Sequence, residues 1–399
     1  MTWSDYQGEI YRRGREDGTL PLWACNMLEL EQRAIDTLDS AARGYIAASA
    51  GNGRTARANR DAFEDWAITP RMLRGVSAPD TSTVIHGRSL PAPLALAPVG
   101  VQSLAHPDAE QATARAAQST GIPYSHSLAA TVSFEEIALA APASTRWAQL
   151  YWIRDPETVS SFLARAASAG FDTLILTVDT PVLGWRPTDL DRAFLPFAEG
   201  IGIANYTSDA GYMSRARATI TTEGADIAPR YWERVFPHAS LDWAEAATLR
   251  SMWDGTLLIK GIQHPDDAQR GLDVGFDGII VSNHGGRQID SAIGSLRALP
   301  AIRTAVGPDV PILFDSGLRT GVDLFTAIAL GANAGMLGRA FLYGLALGGE
   351  EGVEHVIRSV MSEFELTMML AGAHTVADIT PELLSRVDPG PHGGRERRE

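Results

Sequence analysis

Eight short apolar runs recur between residues 94 and 337, and they constrain the fold more than any other feature of the chain. They are Leu94–Ala97, Ile122–Tyr124, Trp147–Leu150, Leu174–Val178, Leu257–Ile259, Gly278–Val281, Ile312–Phe314 and Ala334–Leu337. Each is short enough for a buried strand, and helix-like sequence separates it from the next. Continuous apolar strands joined by helices predict a parallel sheet covered on both faces. Eight such units over about 250 residues predict an α/β fold, the (β/α)8 TIM barrel. An open, doubly wound sheet is the alternative. Polar and glycine-bearing motifs favour the barrel. Pro98-Val99-Gly100, Ser125–Ser127, Gln149 with Tyr151, Thr177-Val178-Asp179, Lys260-Gly261, Ser282–Arg287, Asp315–Arg319 and Gly338-Arg339 all lie at or just past the C-terminal ends of the runs. A barrel brings these ends to one face, where active sites are built; an open sheet spreads them along an edge.

Residues 1–80 predict a helical segment packed on the barrel, with helices over Glu29–Leu38 and Ala56–Trp66. Between them, the small residues of Gly44–Gly51 permit close approach of another element. The barrel is expected over residues 81–375. One connection breaks its rhythm: about fifty residues, 190–240, follow the fourth run. A connection of that length is either a lid over the active-site face or a loose surface insertion. Residues 376–399 are expected as a tail, ending in the polar, glycine-rich stretch 390–399 that reads as disordered.

The net charge of −14 argues against a nucleic-acid partner and against an anionic membrane surface. The single cysteine, Cys25, excludes an intrachain disulfide and a thiolate-rich metal site, which fits a reducing cytoplasm. The N-terminus lacks an apolar secretory core, and the most apolar stretch, Leu90–Val101, is short and contains three prolines. A cytoplasmic protein with no membrane segment is expected. No metal site is expected either, since the nine histidines show no spacing such as HExxH.

The densest chemistry lies in Ser282-Asn283-His284-Gly285-Gly286-Arg287. A histidine that takes a proton near neutral pH stands beside an arginine able to hold a carboxylate with two parallel bonds. Removing a proton from a carboxylic-acid substrate needs that pair. The plain alternative is a surface turn. Asp179 is a candidate to stabilise the imidazolium, and Arg186 is a second carboxylate partner. Asp315–Arg319 followed by Gly338-Arg339 occupies the last two strand ends, a frequent phosphate site in barrels. Lys260 at a strand end either forms a Schiff base or opposes negative charge on a cofactor ring. Gln149 and Thr177 supply hydrogen-bonding groups, and Tyr45 is either a core aromatic or a ligand-facing phenol.

Taken together and in order, Gln149-Leu150-Tyr151, Thr177-Val178-Asp179-Thr180-Pro181, Lys260-Gly261, Ser282–Gln288 and Asp315–Arg319 resemble the FMN-dependent 2-hydroxyacid oxidases and dehydrogenases. The resemblance spans about residues 30 to 370 and implies an FMN-binding barrel that is a homotetramer or homo-octamer. It implies that an L-2-hydroxy acid such as lactate or mandelate is oxidised with O2 as acceptor. His284 is then the base and Asp179 its partner. Arg287 and Arg186 hold the carboxylate, with Tyr45 and Tyr151 nearby. Pro98, Val99, Gly100, Ser127, Gln149, Thr177 and Ser282 line the flavin, and Lys260 lies at its pyrimidine edge. Asp315, Gly317, Arg319, Gly338 and Arg339 hold ribityl and phosphate groups. Within the family, Gly184–Leu190, Ala204–Asp209 and Lys260–Ala268 are most similar to lactate 2-monooxygenases, which decarboxylate the keto acid in place. Ala48-Ser49, where those enzymes tend to have glycines, and Gln288-Ile289-Asp290 depart from that pattern. A simple oxidase or dehydrogenase, an FMN-dependent isomerase and a non-catalytic ligand-binding barrel are the competing readings.

Overall fold

The computed structural model describes residues 2–221 and 226–387. Eight parallel strands close into a barrel: β1 (Leu94–Leu96), β2 (Tyr124–His126), β3 (Arg146–Leu150), β4 (Thr173–Thr177), β5 (Thr256–Ile262), β6 (Gly278–Val281), β7 (Ile312–Phe314) and β8 (Ala334–Leu337). Closure is made by β8 on β1, in the register Gly335 to Leu94, Met336 to Ala95 and Leu337 to Leu96. The ring has no edge, so the open-sheet alternative does not hold.

Side chains alternate between the two faces of a strand. Ala95, Trp147, Ile175, Leu258, Ile280, Leu313, Ala334 and Met336 fill the barrel interior. Their neighbours Leu94, Ala148, Leu174, Leu257, Ile279, Ile312 and Leu337 pack outward against the helices. A hairpin of Thr83–Ile85 and Arg88–Leu90 plugs the N-terminal end, adding Ile85 and Leu90 to the inner core. The bottom of the barrel is therefore sealed, and only its C-terminal face is available to a ligand.

The second strand starts two residues later than the run Ile122–Tyr124. Pro123 has no N–H for the ladder. The Ile122 N–H is spent on Ala117 O at 3.0 Å, closing the preceding helix. The fifth strand runs past its apolar stretch, through a bulge between Lys260 and Ile262.

Four helices precede the barrel: Asp5–Asp17, Met27–Thr37, Ser40–Ala47 and Arg54–Glu64. The third lies between the two expected helices and runs into the small-residue stretch Gly44–Gly51. Asp39 caps it, accepting from Ala41 N and Ala42 N at 2.8 Å each. The start of the fourth is held from across the chain by the Asp290 carboxylate, which accepts from Arg54 N at 2.7 Å and Asn52 N at 2.8 Å.

The described part of segment 190–240 is ordered, not loose. Helices Ala210–Thr219 and Ile227–Val235 dock on Asp155, which accepts from Arg215 Nε at 2.8 Å and Tyr231 Oη at 3.1 Å. Trp232 stacks between Phe197 and Phe236, with ring centroids 4.7 Å apart on either side. The expected tail is ordered as far as residue 387, because Leu384–Arg386 pairs antiparallel with Trp66–Ile68. Stretch 390–399 lies outside the described residues. Among the described residues, no helix is long and apolar enough to cross a membrane.

Gly321 starts helix Gly321–Ala329 where it meets the long helix Arg339–Ala371; a Cβ there would collide with Phe364 N and Val360 O. Gly321→Ala is therefore expected to cost roughly 1–3 kcal/mol as an overpacked contact. Gly8, exposed within Asp5–Asp17, has no atom within 4 Å of its would-be Cβ. Gly8→Ala should stabilise by about 0.5–1 kcal/mol. Urea unfolding followed by circular dichroism checks both, and a Gly321→Ala midpoint equal to the parent's would contradict the close contact.

Candidate active site

Two residues beyond each inner apolar residue, the same alternation points another side chain into the barrel, now at the top. Trp147 leads to Gln149, Ile175 to Thr177, Leu258 to Lys260, Ile280 to Ser282 and Leu313 to Asp315. Of these, Lys260 and Asp315 reach the floor of a cleft of about 1220 Å³, counted out to its open mouth. Tyr45, Pro98, Val99, Gly100, Ser127, Tyr151, Arg186, Lys260, His284, Arg287, Asp315, Gly317, Arg319, Gly338 and Arg339 all line it. Gln149, Thr177, Asp179 and Ser282 stand one layer deeper and reach it through neighbours or from beneath.

His284 sits in a turn just past β6, with a left-handed φ of 59°. Its main-chain N–H donates to Ser282 Oγ at 3.0 Å. Its Nδ1 donates to Asp179 Oδ1 at 2.8 Å, and Thr180 Oγ1 donates to the same carboxylate oxygen at 2.9 Å. A carboxylate at Nδ1 fixes the proton there and leaves Nε2 as the acceptor facing the cleft. Burial pulls the His284 pKa below its ordinary value; Asp179 opposes this, while Lys260 and Arg186 add to it. Burial works to raise Asp179, but His284 and Lys260 outweigh it, and its carboxyl ends below the usual range. The pair at neutral pH is a neutral imidazole backed by a carboxylate.

Lys260 is buried. Its Nζ donates to Ser282 Oγ at 2.8 Å and pairs with Asp315 Oδ2 at 3.1 Å. Burial disfavours the ammonium, but Asp315 and Asp179 together outweigh it, and the pKa lies above the ordinary lysine value. A charged amine is no nucleophile, so the Schiff-base alternative falls.

Two guanidinium groups line the cleft together with His284. Arg287 lies over the Tyr45 ring, 4.8 Å from its centroid, and NH1 donates to Tyr45 O at 2.6 Å and Ala48 O at 3.1 Å. Arg186 donates from Nε to Arg287 O at 3.0 Å and from NH2 to Gln288 Oε1 at 2.7 Å. Burial, and then the Arg287 charge, lower the Arg186 pKa to about 10. Its only carboxylate among the described residues is Asp189 at 4.0 Å. Main-chain carbonyls, more than carboxylates, hold this pair, which leaves it a strong attractor for an anion. Tyr45 thus lines the ligand space, while its ring also packs against the core. Tyr151 is a second phenol there, its pKa raised by burial and by Asp179.

An FMN fits the other half of the cleft on features of the chain itself. Gln149 Nε2 and Thr177 Oγ1 are buried with no hydrogen-bond partner among the described residues, so two polar groups await a ligand. Gln149 Oε1 meanwhile accepts from Ser127 Oγ at 3.0 Å, which fixes the amide's orientation. Gly338 precedes the helix Arg339–Ala371 and has no atom within 4 Å of its would-be Cβ, so the chain leaves open space at a helix N-terminus. Arg319 and Arg339 flank that space. Arg339 also donates to Ile46 O at 3.0 Å, Gly285 O at 2.9 Å and Ala48 O at 2.6 Å. Arg319 is paired with Glu31 at 3.1 Å. Both are oriented by the N-terminal helices.

Sequence reasoning overlooked several participants. Thr180 buttresses Asp179. Ser316 Oγ accepts from Asn283 N at 3.2 Å and Gly285 N at 3.0 Å, holding the histidine loop. Asn59 and Asn283 exchange amide bonds of 2.8 and 2.6 Å. Phe197, Tyr206, Trp232 and Phe236 roof the cleft. The last two stand four apart in one helical stretch within the 190–240 segment, a spacing that sets them on one face.

The chain is similar to known proteins along most of its length. A family model described as FMN-dependent dehydrogenase matches residues 34–386. The FMN-dependent alpha-hydroxy acid dehydrogenase qulF of Penicillium citrinum is 42% identical over 98% of both chains. An L-lactate oxidase of Lysinibacillus sphaericus is 41% identical over 90% of this chain and 92% of its own. A crystal structure of mandelate oxidase with (S)-4-hydroxymandelic acid superposes with a TM-score of 0.80 at 35% identity, over 91% of this chain and 98% of its own. The chain, with its closed barrel and FMN cleft, belongs to the FMN-dependent dehydrogenase family.

Proposed function

We propose that this protein oxidises an L-2-hydroxy acid to the 2-keto acid, with FMN as the immediate electron acceptor and O2 as the final one. The observation that carries the reading is that His284, bonded to Asp179, shares one cleft with Arg186 and Arg287. The activities in the names of the relatives support it. The substrate carboxylate binds Arg287 and Arg186, with the Tyr45 and Tyr151 hydroxyls as further donors. This sets the α-carbon and its hydroxyl beside His284 Nε2, which accepts the proton released in oxidation. Asp179 stabilises the imidazolium so formed. Bound FMN supplies the two-electron acceptor. Lys260, held charged by Asp315, presents positive charge beside it.

The roof suggests both the substrate's size and the product's fate. Phe197, Trp232 and Phe236 form an apolar wall above the clamp, suited to a side chain larger than glycolate's. A keto acid retained under that roof meets the peroxide made from O2. The reaction RCOCOO⁻ + H2O2 → RCOO⁻ + CO2 + H2O then makes the enzyme a lactate 2-monooxygenase type. Early release of the keto acid leaves it a simple oxidase.

His284→Asn is expected to keep FMN absorbance and carboxylate binding while slowing anaerobic flavin reduction by at least about 10²–10⁴-fold. Arg287→Lys should raise KM before it lowers kcat, because bidentate geometry is lost. In the parent, the reduction rate should fall as pH drops, with an apparent pKa below about 6.5, since the base must be neutral to act. Stopped-flow reduction across a pH series measures all three. Parent-like reduction by His284→Asn would refute the assignment of the base.

Hydroxy acids with aromatic or branched side chains should exceed glycolate in kcat/KM by roughly tenfold or more, the scale of a few buried methylenes. Trp232→Ala should erode that preference and raise free peroxide relative to CO2. A strict preference for glycolate, with both ratios unmoved by Trp232→Ala, would remove the roof from the account.

A further inference from the structure

Glu110 is a fully buried carboxylic acid that the catalytic reading leaves without a task. It lies in the first turn of helix Ala109–Thr120, behind the loops that leave β1 and β2. Its Oε1 accepts from Gln102 N at 3.1 Å in the first loop and from Thr131 N at 3.0 Å in the second. Its Oε2 bonds the Thr131 hydroxyl. No cation pairs with it among the described residues; the positive end of its own helix and these donors are what hold it. Burial raises its pKa, opposed by the bonds from Thr131 and Gln102.

The two loops carry cleft residues Val99, Gly100 and Ala129, and they are packed against each other tightly. Val101 N donates to Ala129 O at 2.9 Å, and a Cβ on Gly100 would collide with that same carbonyl. Val101, β-branched, sits at a left-handed φ of 58°, which costs free energy unless its surroundings impose it. Gln102 passes the constraint back to the strand end: Nε2 donates to Val99 O at 2.9 Å, and Oε1 accepts from Thr113 Oγ1 at 2.6 Å. If this volume needed only filling, an apolar side chain would do so without the desolvation penalty of an acid. What the carboxylate adds is one oxygen bonded to both loops.

We propose that Glu110 is a positioning residue for the flavin: by pinning the loops after β1 and β2 to one carboxyl oxygen, it sets the place of Val99, Gly100 and Ala129 in the cleft that holds FMN. It touches neither substrate nor cofactor. The effect reaches the chemistry because a displacement of about 1 Å at a reacting centre is worth on the order of 10²-fold in rate.

The test uses the FMN-loaded enzyme and three variants. Glu110→Ala should shift the visible flavin band and raise the dissociation constant for FMN on dilution. It should also slow anaerobic reduction by about 100-fold while the carboxylate clamp keeps KM within about twofold. Glu110→Gln retains an acceptor oxygen for both N–H groups and an amide donor for the Thr131 hydroxyl. It should restore the band and bring the rate to within about threefold, a neutral-for-charged exchange of acceptor. If Glu110→Ala does not fold, Glu110→Asp carries the test: it keeps the acid but withdraws the oxygen by one methylene, and should slow reduction by about tenfold. A parent-like band and rate in Glu110→Ala or Glu110→Asp would overturn the proposal, as would a Glu110→Gln enzyme as impaired as the alanine variant. The rate arm rests on the hydroxy-acid reading, whereas the spectral and FMN-retention arms rest on the cofactor alone. A parent that no hydroxy acid reduces would therefore sink that reading and leave this one to be judged by its spectra.

Discussion

The ammonium of Lys260 is buried in the barrel's upper layer, and a buried charge persists only where partners replace its water. Its partners come from the ends of other strands: Ser282 Oγ past the adjacent β6 and Asp315 Oδ2 past β7, one strand further on, with the Asp179 charge beyond β4. From there the bonds continue outward. Ser282 Oγ accepts from His284 N. Asp315 Oδ1 accepts from Ser316 Oγ at 2.7 Å, and Ser316 in turn holds Asn283 N and Gly285 N. The proposed base is thus positioned by a network rooted in one lysine. Removing that lysine's charge would leave Asp315 and Asp179 as two like charges in a desolvated layer. It would also remove a bond from the serine on which the histidine loop rests.

The N-terminal helices are as much part of the site as the barrel. Tyr45 O, Ile46 O and Ala48 O, at the C-terminus of Ser40–Ala47, are the acceptors for Arg287 and Arg339. Cations are favoured at that end of a helix. The exchange runs both ways: the arginines satisfy carbonyls that the helix leaves free, and the carbonyls aim guanidinium groups that would otherwise be mobile. Asn59 plays the matching part for the following helix through its reciprocal amide bonds with Asn283.

The barrel was legible because its signal is local. Each apolar inner residue and the polar residue two places later share a strand, so Leu258 to Lys260 or Leu313 to Asp315 can be read from neighbouring positions. What could not be read depends on contacts between distant stretches. Helix Ser40–Ala47 is only eight residues long and is interrupted by Gly44, a weak helical signal despite its alanines; Asp39 and the arginines from the barrel supply what the local sequence lacks. The roof looked like a long loop because its docking group, Asp155, lies some sixty residues away from Arg215. Gly100 illustrates the same limit. Sequence admits two reasons for a glycine there, close approach of the chain or space for a larger ligand. The Ala129 carbonyl decides for close approach, so pocket size must come from the roof and not from a missing methyl.

Charge gives the sharpest contrast between composition and site. The chain as a whole carries −14, which says only that its surface is acidic. The cleft is the reverse: Arg186, Lys260, Arg287, Arg319 and Arg339 line it, against one carboxylate, Asp315. Fields in a concave site with low-dielectric walls are stronger than on open surface, while charges beyond a Debye length of about 8 Å are screened. An anion approaching this protein therefore meets little attraction until it reaches the mouth, and strong attraction within. The two halves of the cleft also divide the work by geometry. Arg319 and Arg339 line the cleft where a helix N-terminus opens, which suits a phosphate, whereas Arg186 and Arg287 share it with a neutral imidazole, which suits a carboxylate whose neighbouring carbon loses a proton. Lys260 lines the same cleft, neutralised in part by Asp315. It can balance charge that grows during the reaction without binding either anion outright.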